Sequence, residues 1–333
     1  MPTTETHLGR DIIVLGGSSG GIEALRKIVA ELPQNLPAAL FVVVHIAAET
    51  RSVLPDILSK AGNLPAVPAI DGQRIRHGHI YVAPPDYHLS FIDGALRVAH
   101  GPKENLHRPA IDPLFRSAAR WFGSRVVGVV LSGGLDDGTA GLKLIKKRGG
   151  ITVVQDPNDA SSPDMPCNAI QNVQIDYRLP ASKIGPLLIS LTNSPAPEKV
   201  QQAPKTELDR ASDLMDAQNE DLTTHERELG PPSVFTCPTC HGAIWEVQDG
   251  DLLRFQCHVG HAFSPTSMLA EQNEDLERAM WIALRSMDDS VKLLRRLADH
   301  SHAAHHDIAA RRYQEAADEK QGAADLIRKI LLN

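Results

Sequence analysis

The amino-acid sequence predicts an α/β fold whose main part is a doubly wound, mostly parallel sheet with a β-hairpin insertion. Nearly continuous apolar runs at residues 39–44, 126–131 and 151–154 predict buried strands, because a strand covered on both faces of a parallel sheet lacks polar alternation. Helical patterns lie between these runs, and the first, at residues 22–32, ends at Pro33. Strands that alternate with helices are typical of doubly wound domains.

The chain divides into segments of different composition. Residues 8–192 carry the alternating strands and helices, including a stretch near 70–100 that we interpret as the hairpin insertion. Residues 193–232 have prolines at both ends and an acidic excess, which predicts a linker with a short helix near 206–222. We therefore expect the parts on either side of the linker to be separable, so that a chain ending near Ser194 keeps its fold.

Two smaller segments follow the linker. Residues 234–263 contain three of the four cysteines. Residues 264–333 carry an apolar stripe at helical spacing, which begins after Ser264-Pro265, and serine followed by proline is a common helix start. The stripe predicts a C-terminal α-helical hairpin, with a coiled-coil homodimer as the alternative.

The composition argues against several classes of protein. The 333 residues carry a formal net charge of −7 and a pI near 6.1, which disfavours an extended nucleic-acid-binding surface. The first ten residues lack the apolar core of a secretion signal, and no apolar run is long enough for membrane insertion. Clustered cysteines suggest metal ligands in a reducing compartment, so we expect a cytoplasmic protein.

Polar residues follow three of the predicted strands. Ser18 and Ser19 follow the first strand, His45 follows the second, and an Asp136-Asp137 pair follows the strand that ends at residue 131. Sites in doubly wound sheets lie beyond the carboxyl ends of the strands. Serine, histidine and aspartate are the nucleophile, the base and the orienting carboxylate of a hydrolytic triad. The spacing alone leaves open which aspartate takes part, and a plain structural turn is the alternative for each element.

The glycine-rich turn GGSSGG at residues 16–21 fits other sites less well. A phosphate-binding loop needs a lysine after its last glycine, where this chain has Ile22. The dinucleotide-binding fingerprint needs a glycine where this chain has Ser18. The turn also fits the nucleophile elbow of α/β-hydrolases, but that fold orders its triad serine, aspartate, histidine. A dinucleotide-binding oxidoreductase therefore stays a weaker alternative to a serine hydrolase.

Six stretches, in order along residues 11 to about 190, resemble the catalytic domain of the chemotaxis protein-glutamate methylesterases. They are IVLGGSSGGIEAL, VVVHI, IYVAPPDYHL, HRPAIDPLF, VVLSGGLDDGTAGL and VVQDPNDASSPDMPCNAI. Members of that family hydrolyse γ-glutamyl methyl esters on the helical signalling domains of chemoreceptors, and many also deamidate glutamine there. The resemblance implies that Ser18 is the nucleophile, His45 the base and Asp137, rather than Asp136, the orienting carboxylate. It implies no organic cofactor.

The resemblance also directs attention to the oxyanion site, where the chain departs from the family pattern. Backbone N–H groups of Ser19, Gly20 and Gly134 are the expected donors. The family's Gly-Met-Gly reads Gly133-Gly134-Leu135 here, which predicts a looser loop. Family members usually begin with a phosphorylatable receiver domain, whereas the resemblance starts near residue 8 here. We therefore expect no phosphorelay control in cis.

The cysteine-containing segment has the ligand spacing of a small metal site. Cys237 and Cys240 lie two residues apart, and Cys257 and His261 follow in a second pair. Two such pairs predict a zinc-ribbon-like segment that holds one structural zinc ion, because four protein ligands leave no open position. His258 competes with His261 for the fourth position, but its place next to Cys257 makes it the poorer ligand.

The sequence thus favours a serine hydrolase that removes methyl esters from glutamate side chains of a chemoreceptor-like helical protein. The main alternative is a non-catalytic signalling scaffold that recruits partners through the zinc-binding and helical tail. The two hypotheses differ in whether Ser18 reacts with a serine-directed probe.

Overall fold

The structure is a computed structural model that describes residues 9–48, 52–197, 231–249 and 252–332. The chain forms two compact units, Met1–Met268 and Leu269–Asn333. Most of the predicted linker, including the short helix expected near 206–222, lies outside the described residues.

The first unit is built on a seven-stranded parallel sheet. The strands up to residue 179 are β1 (Ile12–Gly17), β2 (Ala39–Val44), β3 (Ala66–Pro68), β4 (Ile80–Val82), β5 (His88–Ile92), β6 (Ala95–Ala99), β7 (Val126–Val130), β8 (Ile151–Gln155) and β9 (Tyr177–Leu179). The sheet order is β3-β4-β2-β1-β7-β8-β9, and each neighbouring pair is parallel. This arrangement confirms the predicted doubly wound fold.

Helices cover both faces of the sheet. They are α1 (Gly21–Ala30), α2 (Leu54–Ala61), α3 (Ile111–Phe122), α4 (Thr139–Lys147), α5 (Asp164–Asn172) and α6 (Ala181–Thr192). Along β1, Ile12 and Val14 pack into the core beneath α3 and α4, whereas Ile13 and Leu15 pack into the core beneath α1 and α6. Both faces of the strand are buried, which explains why its sequence shows no polar alternation.

The expected hairpin insertion is the antiparallel pair β5 and β6. Its turn consists of Asp93 and Gly94, with φ angles of 49° and 73°, as a two-residue hairpin loop with the native strand twist requires. Leu89 and Phe91 of this hairpin are buried against the α3 side of the sheet.

The cysteine-containing segment forms a small antiparallel sheet of β10 (Ile244–Asp249), β11 (Leu252–Cys257) and β12 (Ala262–Phe263). We call residues 234–263 the ribbon. It packs against the loop at residues 103–107, where the N–H of Asn105 donates to the carbonyl of Ala262 at 2.8 Å. The ribbon is therefore docked on the α/β domain, although the predicted linker separates the two along the chain.

Two helices form the C-terminal part of the chain. Helix α7 (Pro265–Ala303) begins in the first unit, where the Ser267 N–H donates to the hydroxyl of the capping Ser264 at 3.0 Å. Helix α8 (Asp307–Leu331) runs back along α7, with Arg328 contacting Asp288 at 2.9 Å. This is the predicted helical hairpin. Among the described residues, none of the helices is long and apolar enough to cross a membrane.

Candidate active site

Strand register brings Ser18 and His45 side by side at the carboxyl edge of the sheet. Gly17 pairs with Val44, and the backbone N–H of His45 donates to the carbonyl of Gly17 at 3.2 Å. Ser18 and His45 are the next residues on their strands. The N–H of Ser18 donates to the carbonyl of Ser132 at 2.9 Å, which joins the β1 turn to the loop that follows β7.

His45 makes a buried hydrogen bond to Asp137. Its Nε2 lies 2.9 Å from Asp137 Oδ2, and the two side chains are 5% and 2% exposed. A carboxylate only accepts hydrogen bonds, so Nε2 carries the proton and Nδ1 presents a lone pair. Nδ1 is buried and has no hydrogen-bond partner among the described residues. The histidine is therefore held in the tautomer that a general base requires.

Backbone and amide donors surround the carboxylate of Asp137. Oδ2 also accepts the N–H of Ile111 at 2.6 Å, and Oδ1 accepts Asn105 Nδ2 at 2.8 Å and the N–H of Gly138 at 2.9 Å. Burial alone would raise the pKa of Asp137, but the bond from His45 and these further donors outweigh it and hold the pKa well below its ordinary value. Asp137 is ionised wherever the protein is folded near neutral pH.

Asp136 faces away from His45. Its Oδ1 accepts a hydrogen bond from the Ser264 hydroxyl at 2.7 Å, at the start of α7. Burial raises the pKa of Asp136 to about 6, against the opposing effect of that hydrogen bond. The two neighbouring aspartates thus have different surroundings, and only Asp137 contacts His45.

His107 is a neighbour of His45 that sequence patterns did not assign to the site. The two imidazole rings stack with centroids 3.6 Å apart. Burial, together with repulsion from His45, lowers the pKa of His107 to about 4. His107 is therefore neutral at neutral pH and packs against the ring of His45.

The turn after β1 and the loop after β7 approach each other closely. A Cβ atom on Gly133 would lie 2.8 Å from Cβ of Ser18 and 2.1 Å from the Met165 sulfur, so this position requires glycine. Gly134, by contrast, has open space around its Cα. Leu135 has a φ of 60°, and its carbonyl accepts Asn168 Nδ2 at 2.8 Å, which ties the loop to α5.

The backbone N–H groups of the turn after β1 and of the loop after β7 differ in whether they are already hydrogen-bonded. Those of Ser18 and Gly133 already donate to Ser132 and Ser162. Among the described residues, the N–H groups of Ser19, Gly20 and Gly134 have no hydrogen-bond acceptor. Gly20, with a φ of 77°, precedes the first turn of α1. The assignment of these three N–H groups as oxyanion donors stays a prediction.

The ribbon brings together a group that could hold a metal ion. One ligand atom from each of Cys237, Cys240, Cys257 and His261 lies within 4.8 Å of the others. Sulfur atoms around a tetrahedral zinc ion lie about 3.8 Å apart, since each zinc–sulfur bond is about 2.3 Å. The Cys240 and Cys257 sulfurs are 3.6 Å apart, and Cys237 Sγ is 3.8 Å from His261 Nδ1. His258 is not part of this group.

Two residues of the site have no recognisable sequence signal. Asn105 donates to Asp137, and Arg254 of the ribbon donates to Asp112, which lies beside Asp137. Neither belongs to a known catalytic spacing. Only the burial of its charged side chain could have suggested a role for Arg254, and burial is not visible in the sequence.

Comparison with known protein families finds a match over most of the α/β domain. A family model described as CheB methylesterase matches residues 13–188. A protein from Leptospira interrogans is 39% identical over 182 residues, which cover 54% of this chain and 94% of that protein.

Longer relatives match over the same region. One from Syntrophus aciditrophicus, named protein-glutamate methylesterase/protein-glutamine glutaminase 1, is 36% identical over 191 residues. The match covers 56% of this chain and 54% of that protein. Among solved structures, the CheB methylesterase catalytic domain of Thermotoga maritima is 34% identical, with a TM-score of 0.52, and the match covers 54% of this chain and 98% of that chain.

Proposed function

Because the chain belongs to the CheB methylesterase family, we propose that it is a serine hydrolase that removes methyl esters from glutamate side chains. The observation that carries this proposal is the buried pair of His45 and Asp137, 2.9 Å apart. His45 follows β2, the strand that pairs with the strand before Ser18, and Asp137 lies in the loop after β7. The pair supplies a base whose tautomer is held by a carboxylate, at the end of the sheet where such sites lie.

In the proposed mechanism, Ser18 Oγ attacks the ester carbonyl while His45 Nδ1 takes the hydroxyl proton. His45 Nδ1 has no hydrogen bond to Ser18 in the described part of the chain, and such bonds commonly tighten only when substrate binds. Backbone N–H groups of Ser19, Gly20 and Gly134 hold the negative charge that develops on the carbonyl oxygen. Asp137 stabilises the imidazolium form of His45 in this step.

The tetrahedral intermediate then collapses and expels the leaving group. His45 returns the proton to the methoxide, which leaves as methanol and yields an acyl-enzyme on Ser18. A water molecule, deprotonated by His45, attacks this ester. His45 then returns the proton to Ser18 Oγ, and the substrate leaves with a glutamate side chain. The same sequence of steps converts glutamine to glutamate with ammonia as the leaving group, a second activity that the names of relatives record for those proteins.

We assign the substrate to a methyl-accepting chemoreceptor or a similar helical signalling protein, located in the cytoplasm. The tail contributes a structural zinc ion held by Cys237, Cys240, Cys257 and His261, a ligand set of three thiolates and one imidazole that suits zinc. When bound, zinc would cross-link the ribbon, whose own core is small. The C-terminal helices are the proposed surface for a homodimer.

A fluorophosphonate probe tests the proposal with the full-length chain. The wild type should be labelled on Ser18 and should release methanol from a methylated receptor fragment. Ser18→Ala should abolish both reactions, because loss of a triad member commonly costs several orders of magnitude. Ser19→Ala is the matched control, since Ser19 is the exposed neighbouring serine, and it should still be labelled. A folded wild type that is never labelled would instead favour the non-catalytic scaffold.

A further inference from the structure

We propose that the ribbon completes the active site, with Arg254 and Asn105 as positioning residues that hold Asp137 in place for its bond to His45. The inference rests on the proposed function, because it assigns the ribbon a part in that same hydrolysis. The contacts that carry it run from β11 and the start of α7, through the loop at 103–107, to the catalytic carboxylate.

Arg254 inserts a guanidinium group into a buried cluster of carboxylates. Its side chain is 7% exposed; Nη1 donates to Asp112 Oδ2 at 2.7 Å, and Nη2 donates to Glu104. Arg116 donates to the other oxygen of Glu104 at 2.8 Å. Such forked contacts use the fixed donor geometry of arginine, which lysine cannot reproduce.

The charge balance of this cluster depends on Arg254 of the ribbon. Glu104, Asp112 and Asp137 are each at most 2% exposed. Arg116 and Arg254 are the buried guanidinium groups that face them among the described residues. If Arg254 is removed, three buried carboxylates face a single guanidinium. An unpaired buried charge is costly, and the site relieves the cost by taking up a proton or by rearranging.

Asn105 connects both the ribbon and the start of α7 to Asp137. Its backbone N–H donates to the carbonyl of Ala262 in the ribbon. Its Oδ1 accepts the backbone N–H of Ser264 at 3.1 Å, and its Nδ2 donates to Asp112 at 3.0 Å and to Asp137 at 2.8 Å. A backbone N–H can only donate, so the bond from Ser264 settles which end of the amide faces the carboxylates. The Ser267 hydroxyl also donates to Oδ1, at 3.3 Å. If both bonds were lost, the amide would be free to turn and Asp137 would lose a donor.

Asp112 is the group that responds first when Arg254 is lost. Burial raises the pKa of Asp112, and Arg254 is the strongest influence that opposes this. Around the carboxylate lie Arg254, Arg116 and the carboxylates of Glu104 and Asp137. A neutral Asp112 is a poorer acceptor than the carboxylate, so the bond that Oδ2 accepts from Asn105 Nδ2 would weaken and hold the amide beside Asp137 less firmly.

The expected kinetic effect is on kcat. None of these residues lies beside Ser18, so substrate binding should not change, whereas a displaced Asp137 leaves His45 misaligned. Misplacement of about 1 Å can reduce the rate by about 100-fold. We expect Arg254→Gln to lower kcat on a small methyl ester by about 10- to 100-fold, with KM within about twofold of wild type.

The experiment uses the full-length chain and two Arg254 variants. Arg254→Lys keeps the charge but not the fork, so kcat should fall by about 3- to 10-fold, again without a change in KM. Arg178→Gln is the matched control, because Arg178 forms an exposed pair with Asp156 outside the cluster; its kcat should equal that of the wild type. Circular dichroism and bound zinc report whether each variant is folded.

Equal kcat values for folded Arg254→Gln and wild-type protein would overturn the inference. If Arg254→Gln fails to fold, the Arg254→Lys variant tests the inference instead. An unchanged kcat of Arg254→Lys would then overturn the inference as well. A loss that appears only in KM would show that the ribbon binds substrate and does not position Asp137. A wild type without esterase activity would contradict the proposed function itself, and the two failures are thereby distinguished.

Discussion

Replacement of Asp137 by asparagine tests the proposed triad at its most sharply defined contact. Oδ2 accepts hydrogen bonds from His45 and Ile111, and Oδ1 accepts three, from Asn105, Asp112 and Gly138. An asparagine side chain must place its NH2 group at one of these positions, where it would meet two or three donors. The position of Oδ2 is the less unfavourable, because fewer bonds are lost there.

With its NH2 group at that position, the introduced asparagine would donate to Nε2 of His45. The proton of the imidazole would then move to Nδ1, the nitrogen that must accept the proton of Ser18. A histidine in the wrong tautomer cannot act as the base, and this change in a serine triad reduces kcat by about 10⁴-fold. The lost charge-assisted hydrogen bonds should also reduce the free energy of unfolding by about 2–5 kcal/mol.

The assay measures methanol release and the rate of fluorophosphonate labelling at Ser18, with circular dichroism to establish folding. Asp136→Asn is the matched control, because Asp136 contacts Ser264 and not His45, and its kcat should lie within about fivefold of wild type. The reasoning is wrong if folded Asp137→Asn keeps more than about a tenth of wild-type kcat, or if Asp136→Asn is the more damaging change.

Further predictions concern the loop, the buried carboxyl and the metal group. Gly133→Ala should lower kcat by about 100-fold, because its methyl group would crowd Ser18, whereas Gly134→Ala, with open space around it, should stay within about threefold in the same ester assay. The pKa of Asp136 is raised to about 6 from 3.8. Ionisation of Asp136 therefore opposes folding, and the free energy of unfolding falls as the pH rises from about 4 through about 6. Thermal unfolding should therefore show that Asp136→Asn gains up to about 3 kcal/mol relative to wild type between about pH 4 and pH 7.5. Elemental analysis of untagged protein should find one zinc per chain, and less than about a tenth of that for Cys240→Ser, whose ribbon should lose strand signal; zinc-free wild type with an intact ribbon would contradict the assignment.

Local patterns in the sequence were sufficient to predict the fold of the α/β domain. The apolar runs at 39–44 and 126–131 are strands of the parallel sheet, because burial on both faces removes polar residues from them. The turn at 16–21 was also predicted from local sequence, because its tight backbone requires glycine and small residues. The expected zinc ligands, Cys237, Cys240, Cys257 and His261, also come together in the structure. Short sequence separations bring such pairs together with little dependence on the rest of the chain.

Contacts between distant residues could not be inferred in this way. Spacing did not distinguish Asp136 from Asp137, since either could reach the end of the sheet. The path of the loop after β7 turns Asp137 toward His45 and Asp136 toward Ser264. The expectation that a chain ending near Ser194 keeps its fold stays a prediction, but it did not include the contact between the ribbon and the α/β domain. The linker's composition describes only the linker, and carries no information on whether the segments it joins make contact.

The sequence by itself determined the layers of the α/β domain, the family resemblance and the types of residue at the strand ends, because each follows from patterns within a few tens of residues. Only the tertiary structure decided that Arg254 reaches Asp112, a contact between residues 142 positions apart, and that Asn105 joins the ribbon to Asp137. The physical reason is that a buried charge must be balanced by whatever lies next to it in space. Which residue that is depends on how the whole unit packs, and no local pattern records it.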